Sequence, residues 1–410
     1  MTSPIEAPDP TARTPLAGIR VLDLGRHLAG PTAGMWLADL GAEVIKIESP
    51  GKGESGRTAG PPFVGPESVF FLSANRSKKS LALDLKKPAG QAVFRRLACE
   101  SDVVLENFRP GVMEAFNLGY DTLSALHPGL IYCSITGFGR RGPWASRPAV
   151  DQVIQAFSGL MSITGFEGDE PVRSGVPISD LLAGLFAAFG IVTALHARQT
   201  SGRGQRVDTS LLESMVAMLN FQGVRYLNGA GEPPPAGNHH PIIAPYGVFR
   251  AQDGYLVIGA AHEKGWRRLC QVIQAPELVE DARFQGKAER FTRRLELAEE
   301  ISQRLAQDTV QVWCDRLTEA GIPCSPIQTV GQALEHPQVK ELGMAVEVDH
   351  PAAGPIGLLR FPLEFSESAV APPVAPPARG QDTRVLLSRA GFTEEEIGQL
   401  EEKGIVQLAR

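Results

Sequence analysis

The sequence predicts an α/β fold: an open, mostly parallel sheet in a large domain, joined to a smaller α+β domain. Three observations predict it. Short apolar strands alternate with glycine-bounded helices between residues 15 and 137. A Pro/Gly-rich connector, "NGAGEPPPAGNHHPIIAP" (228–245), follows a long apolar helix. Asp253-Gly254 then stands between two apolar runs, a strong hairpin signal.

The elements follow in order. "PLAGIRVLDLG" (15–25) is apolar, β-branched and stopped by Gly25, which reads as a strand. "AGPTAGMWLADLG" is helix-like and closed by Gly41; "AEVIKIES" is the second strand. Strand, glycine turn, helix, glycine, strand is a βαβ unit, and its crossover makes the strands parallel. "KKSLALDL" (78–85), "DVVLENF" (102–108) and "GLIYCSITG" (129–137) repeat the strand pattern. Between the first two, Val93 and Leu97 fall four apart on one helix face. "LLAGLFAAFGIVTAL" (181–195) is shorter than the ~20 residues of a membrane span, so it reads as a core helix with His196 at its end. "DTSLLESMVAMLNFQGVRYL" reads as one long helix opened by a Ser210/Glu213 capping box. Helical, Arg- and Glu-rich segments run to about residue 330. "HPAAGPIGLLRFPLEFS" returns to strands, and Thr393/Glu396 cap a C-terminal helix.

Composition narrows the class. Of 410 residues, 43% are apolar and 21% charged, as in a soluble globular protein, and 410 residues suffice for two domains. A net charge of −6 argues against a nucleic-acid binder. Cys99, Cys133, Cys270, Cys314 and Cys324 are far apart with no CxxC pair, which predicts reduced, mostly buried thiols in a reducing, cytoplasmic compartment. "MTSPIEAPDPTARTP" has no apolar core of a secretory signal.

Several motifs have a bland and a chemical reading. "GKGESG" (51–56) fits GxGxxG, but Pro61-Pro62 follows where a phosphate-binding helix must open, so it reads as a surface loop. His239-His240 lacks partners at metal spacing and reads as turn residues or substrate contacts. "NRSKKS" (75–80), "LKKP" (85–88) and Arg140-Arg141 form either a solvated rim or a phosphate cradle. "ENF" (106–108) and "TGFG" (136–139) lie where parallel strands end, the side on which open α/β sheets bind ligands. "TGFEGDEPVRSG" (164–175) carries Glu167, Asp169 and Glu170 among helix breakers. It is either a solvated turn or the seat of a carboxylate nucleophile.

Taken together, "AGPTAGMWLADLGAEVIKIE", "NRSKKSLALDLKKP", "DVVLENFRPG", "LIYCSITGFGRRGP", "ITGFEGDEPVRSGVPISDLLAGL", "SGRGQRVD" and "APYGVFRAQDGYLVIG" make nearly the whole chain resemble the type III CoA-transferases, a group that includes the α-methylacyl-CoA racemases. The resemblance implies a Rossmann-like large domain built from both chain ends, a small domain, and a homodimer of interlocked rings. It divides the chain into a disordered tail (1–15), a first part of the large domain (16–205), a long helix and linker (206–245), the small domain (246–330) and a return segment (331–410). It implies coenzyme A bound, as acyl-CoA substrate, by Ala29, Leu83, Lys86, Asn107, Phe108, Arg109, Gly137 and Phe138. It implies Asp169 as a nucleophile that carries CoA as a thioester between two acids, with no metal, nucleotide cofactor, nucleic acid or membrane involved.

The sequence departs from the family in four places. The usual nucleophile position, counted back from "RSGVP", falls on Gly168, so Asp169 stands one later and Glu167 is a rival. "GNHHP" stands where formyl-CoA transferases have a glycine run, and Thr136 where they have lysine. The look is closest to succinyl-CoA–dicarboxylate enzymes, with Arg173 a candidate partner for a distal carboxylate. The racemase alternative needs a histidine before Asp151 to work with Asp180, and Val150 stands there. A non-catalytic acyl-CoA binder is the third reading.

Overall fold

The computed structural model describes residues 13–409; most of the expected tail lies outside them. Fourteen strands are present among the described residues. In chain order they are β1 (Arg20–Asp23), β2 (Glu43–Glu48), β3 (Phe63–Val64), β4 (Glu67–Ser68), β5 (Lys79–Leu83), β6 (Val103–Glu106), β7 (Ile131–Thr136) and β8 (Arg206–Ser210). Then come β9 (Tyr246–Arg250), β10 (Tyr255–Gly259), β11 (Cys324–Pro326), β12 (Ala345–His350), β13 (Gly354–Leu359) and β14 (Val406–Gln407).

The chain divides into two compact units. The first takes in the chain to Ser158, Ser174–Asn220, and everything from Gln338 on; the second is Gly159–Arg173 with Phe221–Pro337. The second unit thus starts before the expected small domain and includes the acidic loop.

In the first unit seven strands form one sheet in the order β14-β5-β2-β1-β6-β7-β8. All neighbours are parallel except β14, which pairs antiparallel with β5. The order runs outward in both directions from β1, so a crevice opens between β1 and β6 at their carboxyl ends. The expected strands and the Pro88–Cys99 helix are all in place, with Val93 and Leu97 buried. One face of the sheet packs Leu22, Ile45, Leu81, Val104 and Tyr132 against Phe94, Leu386 and Ile397.

Three readings need correction. The expected long helix (208–227) starts later and is broken in two. Its first three residues belong to β8, and the Ser210 side chain caps helix Leu211–Met218 by accepting from Glu213 N–H. The left-handed backbone of Asn220 (φ 47°) separates that helix from Asn220–Leu227. Helix Ile178–Ser201 runs past His196, which is exposed within it, so His196 closes nothing. Only one face of that helix is core: Ala183, Gly184, Ala187 and Ile191 are buried, while Leu185, Phe189 and Val192 are exposed. Gly184 permits the close approach, since a Cβ there would meet the Ala29 carbonyl at 2.8 Å. Of the cysteines, Cys133, Cys270 and Cys314 are buried, Cys324 is half-buried, Cys99 is exposed, and none is bridged.

The second unit holds the hairpin β9–β10, with β11 added antiparallel to β10. Its core gathers Trp266, Trp313, Phe249, Phe284 and Leu256. Each buried tryptophan contributes about 4–6 kcal/mol of transfer free energy before chain entropy is charged.

Candidate active site

The carboxyl ends of β1, β2, β5 and β6 surround a cavity of about 220 Å³. Leu83, Lys86 and Phe108 line it, with Leu24, Arg26 and Glu54. Asn107 braces its rim: its Oδ1 accepts from Arg26 N–H at 2.8 Å and its Nδ2 donates to Arg26 O at 2.9 Å. Ala29 is buried as the first residue of the α-helix Ala29–Asp39, and a Cβ on the next residue, Gly30, would meet Asn107 at 3.3 Å. Arg109 follows Phe108 and is exposed. Gly137 and Phe138 stand after β7 and do not line this cavity. Gly137 faces Ala149, and Phe138 joins an aromatic cluster with Trp144 and Phe157, each 5.3 Å away between ring centres. The sequence reading missed Arg26, although the strand-end rule that found Asn107 also applies after β1.

The "NRSKKS" cations do not cradle a phosphate. Arg76 pairs with Asp39 in the interior. Lys78 is buried, and its ammonium donates to Asp23 Oδ2 (2.8 Å), Pro31 O (2.7 Å) and Asn75 Oδ1 (3.0 Å), so its three donors are used. Burial pulls its pKa down to about 8 against the pull of Asp23. Lys79 pairs with Glu43. Lys87 donates to the carbonyls of Lys403 and Gly404 beyond a helix end. Arg140 pairs with Glu114 and Asp208. Lys86 is different: it is exposed, and no carboxylate pairs with it among the described residues.

The acidic loop lies in the second unit, with Glu167, Asp169 and Glu170 all exposed. Asp169 N–H donates to Phe166 O at 3.2 Å, and Gly168 has φ +88°. That is the pattern of a type II turn, whose third position needs a left-handed residue. Glycine therefore occupies 168 for a backbone reason, and the carboxylate comes one position later. The loop is docked from below. Gly237 N–H donates to Gly165 O at 2.9 Å, and the Phe166 ring fills the space beside Gly237, where a Cβ would approach it to 2.7 Å.

"GNHHP" is thus the platform of the acidic loop. His240 stacks on Tyr246 (5.0 Å between ring centres) and more loosely on Phe221 (6.2 Å). Ile242 N–H donates to its Nδ1 at 3.2 Å, so the neutral ring carries its proton on Nε2. His239 meets Phe249 edge-on at 5.9 Å. Burial lowers both imidazole pKa values, and Arg294 adds to the effect at His239. No cluster of three metal-ligating side chains occurs among the described residues.

The other carboxyl pair is in the first unit. Asp151 accepts from Ser179 N–H (2.9 Å), Ser179 Oγ (2.7 Å) and Gln155 Nε2 (2.6 Å). Gln155 Oε1 in turn accepts from Ser174 N–H at 2.8 Å, at the foot of the acidic loop. Burial, and then the charge of Asp151, raises Asp180 to about 7. Burial likewise raises Glu106 to about 7, although it accepts from Phe108 N–H at 2.7 Å. Val150 is 64% exposed and has no proton to give.

Known proteins share this chain's sequence and fold. The profile of CoA-transferase family III matches residues 16–383. Human succinyl-CoA:glutarate CoA-transferase is 39% identical over 393 residues, covering 96% of this chain and 90% of the human protein. Succinate–glutarate CoA-transferase of Agrobacterium fabrum is 36% identical over 365 residues, covering 88% of this chain and 91% of its own. A crystal structure of a CAIB/BAIF family protein from Brucella suis superposes with a TM-score of 0.83 at 36% identity, covering 92% of this chain and all of that one. A parallel sheet with a strand-end cavity, the acidic loop on its own platform, and these likenesses lead to one conclusion: the chain belongs to CoA-transferase family III and is a CoA-transferase.

Proposed function

We propose that the enzyme moves CoA from succinyl-CoA or a similar acyl-CoA to a free dicarboxylic acid, through an aspartyl-CoA thioester on Asp169. The single observation that carries the reading is the turn at 166–169, which presents an exposed aspartate on a loop built around Gly168. Relatives named for succinyl-CoA and glutarate support the substrate class.

Each step exchanges one acyl bond for another. An Asp169 oxygen attacks the donor thioester carbonyl, and CoA leaves as thiolate. The product is a mixed anhydride between Asp169 and the donor acid. The thiolate attacks the Asp169 carbonyl, forms the aspartyl thioester and expels the donor carboxylate. An acceptor carboxylate attacks that thioester and again releases CoA thiolate, which takes the acceptor acyl group and frees Asp169. The ester-bond energy is conserved, so no phosphoryl donor is consumed. Retained CoA makes each return near-intramolecular, an advantage of up to about 7–11 kcal/mol in ideal cases.

Leu83, Lys86, Asn107, Phe108 and Arg109 bind CoA in this reading, with Ala29 beside them and Lys86 meeting a phosphate. Gly137 and Phe138 serve from the end of β7. The strand order supports a Rossmann-like large domain. The bare apolar face of helix Ile178–Ser201 supports an interlocked homodimer. Unbridged cysteines support a reducing, cytoplasmic compartment.

The test mixes the enzyme with succinyl-CoA and a panel of free acids and looks for new CoA esters. Transfer that is lost in Asp169→Ala and kept in Asp180→Asn supports the transferase. Exchange of an α-deuterium in a 2-methylacyl-CoA without transfer means racemase, and binding without either reaction means an acyl-CoA carrier.

A further inference from the structure

We propose that a cavity in the second unit reads the far carboxylate of a dicarboxylic acyl group through Arg225 and Arg294. The proposal rests on the transferase reading above and names how that site selects its acids.

The cavity has a volume of about 750 Å³, within the range of roughly 300–1,000 Å³ usual for small-molecule sites. Phe221, Val224, Ile242 and Phe291 give it apolar walls, and Arg225 and Arg294 are its charged lining residues. Both arginines are half-buried, and no carboxylate pairs with either among the described residues. Several other guanidiniums of this unit are matched with acids, Arg283 with Asp281 and Glu296, Arg290 with Glu263, Arg304 with Glu277 and Arg316 with Asp308, while Arg268 meets the Ala320 carbonyl and lies outside this cavity. Arg225 spends only its Nε, on Ala230 O at 3.2 Å. The Arg294 guanidinium lies over the Phe291 ring, 5.1 Å from its centre.

Two unmatched cations between apolar walls call for an anion. A carboxylate is the group whose two oxygens fit the planar fork of arginine, and such bonds strengthen where water is excluded. Position gives the anion its role. Ala236 lines the cavity, and the next residue, Gly237, holds Gly165 of the acidic loop. The cavity offers apolar surface for the methylenes of an acyl group and a cationic end for a second carboxylate. A monocarboxylate of the same length brings no charge to either guanidinium. Arg173, the sequence's own candidate for this task, already has a partner.

The test compares glutarate with pentanoate as acceptors at one saturating donor concentration, in the wild type, Arg225→Met, Arg294→Met and the double variant. The donor half-reaction cancels in the ratio of the two kcat/KM values. The expected result is a preference for glutarate that falls about 10- to 100-fold per arginine removed, while transfer to pentanoate persists. A second readout needs no turnover: glutarate raises the wild-type Tm more than pentanoate does, and the double variant loses the difference. An unchanged ratio with an unchanged Tm difference overturns the proposal. So does a change confined to oligomeric state on size-exclusion chromatography, which assigns these arginines to an acidic surface of a second copy. Loss of all transfer in Asp169→Ala alongside unchanged Arg variants sinks this inference alone. Full activity in Asp169→Ala sinks the reading beneath it.

Discussion

The N–H of Gly237 reaches the carbonyl oxygen of Gly165 at 2.9 Å, tying the loop that carries Asp169 to the segment that carries His239 and His240. Gly237 has φ +58° and the Phe166 ring at its open side, so both backbone and packing demand glycine there. Gly237→Ala is expected to cost about 1–2 kcal/mol of stability and to displace the loop. The expected signature is a fall in kcat larger than the small drop in Tm explains, partly recovered by adding Phe166→Ala. Steady-state kinetics and thermal melts on the three proteins check it.

Asp180 gives a pH prediction. Its carboxyl is raised from 3.8 to about 7 by burial and by Asp151. As pH rises, the unfolded chain releases this proton first, and the folded protein holds it until near pH 7. Stability from this group is therefore present below pH 4 and lost by pH 7. Asp180→Asn escapes the loss. Its stability relative to wild type should rise by roughly 1–2 kcal/mol between pH 5 and pH 8, less than the full shift because the side chain is partly exposed. Urea unfolding of both proteins at the two pH values measures it.

Lys78 and Lys86 are predicted to behave oppositely. Lys78→Met strands Asp23 in the interior and should destabilise by about 3–5 kcal/mol. Lys86→Ala should leave Tm unchanged and raise KM for the acyl-CoA about 3- to 10-fold, an effect that shrinks with added salt. Denaturation curves and donor-saturation kinetics at two ionic strengths separate the roles.

Phe189 is 69% exposed on a helix whose other face is core. In the proposed homodimer this face is covered, so Phe189→Glu is expected to shift that dimer toward monomer, because burying a lone carboxylate costs several kcal/mol. Sedimentation velocity at micromolar concentration reads the change; unaltered sedimentation removes this helix from the interface.

Much of the sheet was legible because its punctuation is strong. Gly25, Gly41 and Asp253-Gly254 mark turns that the structure uses, and β1, β2, β5, β6 and β7 are apolar runs buried on both faces. β8 escaped notice because "RVDTS" is half polar, as an edge strand next to solvent can be. The break at Asn220 was hidden by apolar residues continuing on both sides of it. Helix Ile178–Ser201 is hydrophobic all round, and sequence alone does not say which face stays bare. At the site, strand-end logic located the rim at Asn107 and Phe108, but charge counting misjudged Lys78 and Arg76, whose acidic partners Asp23 and Asp39 are remote in sequence. The offset at Gly168 became intelligible only with its φ angle.

The central claim is that the Asp169 carboxyl is acylated and then carries CoA. The most direct measurement incubates the enzyme with succinyl-CoA and no acceptor, then analyses the 159–173 peptide by mass spectrometry. The account predicts a CoA adduct on Asp169 that glutarate discharges and that Asp169→Asn never forms. An unmodified peptide in an actively transferring enzyme, or an adduct on Glu167 instead, contradicts it.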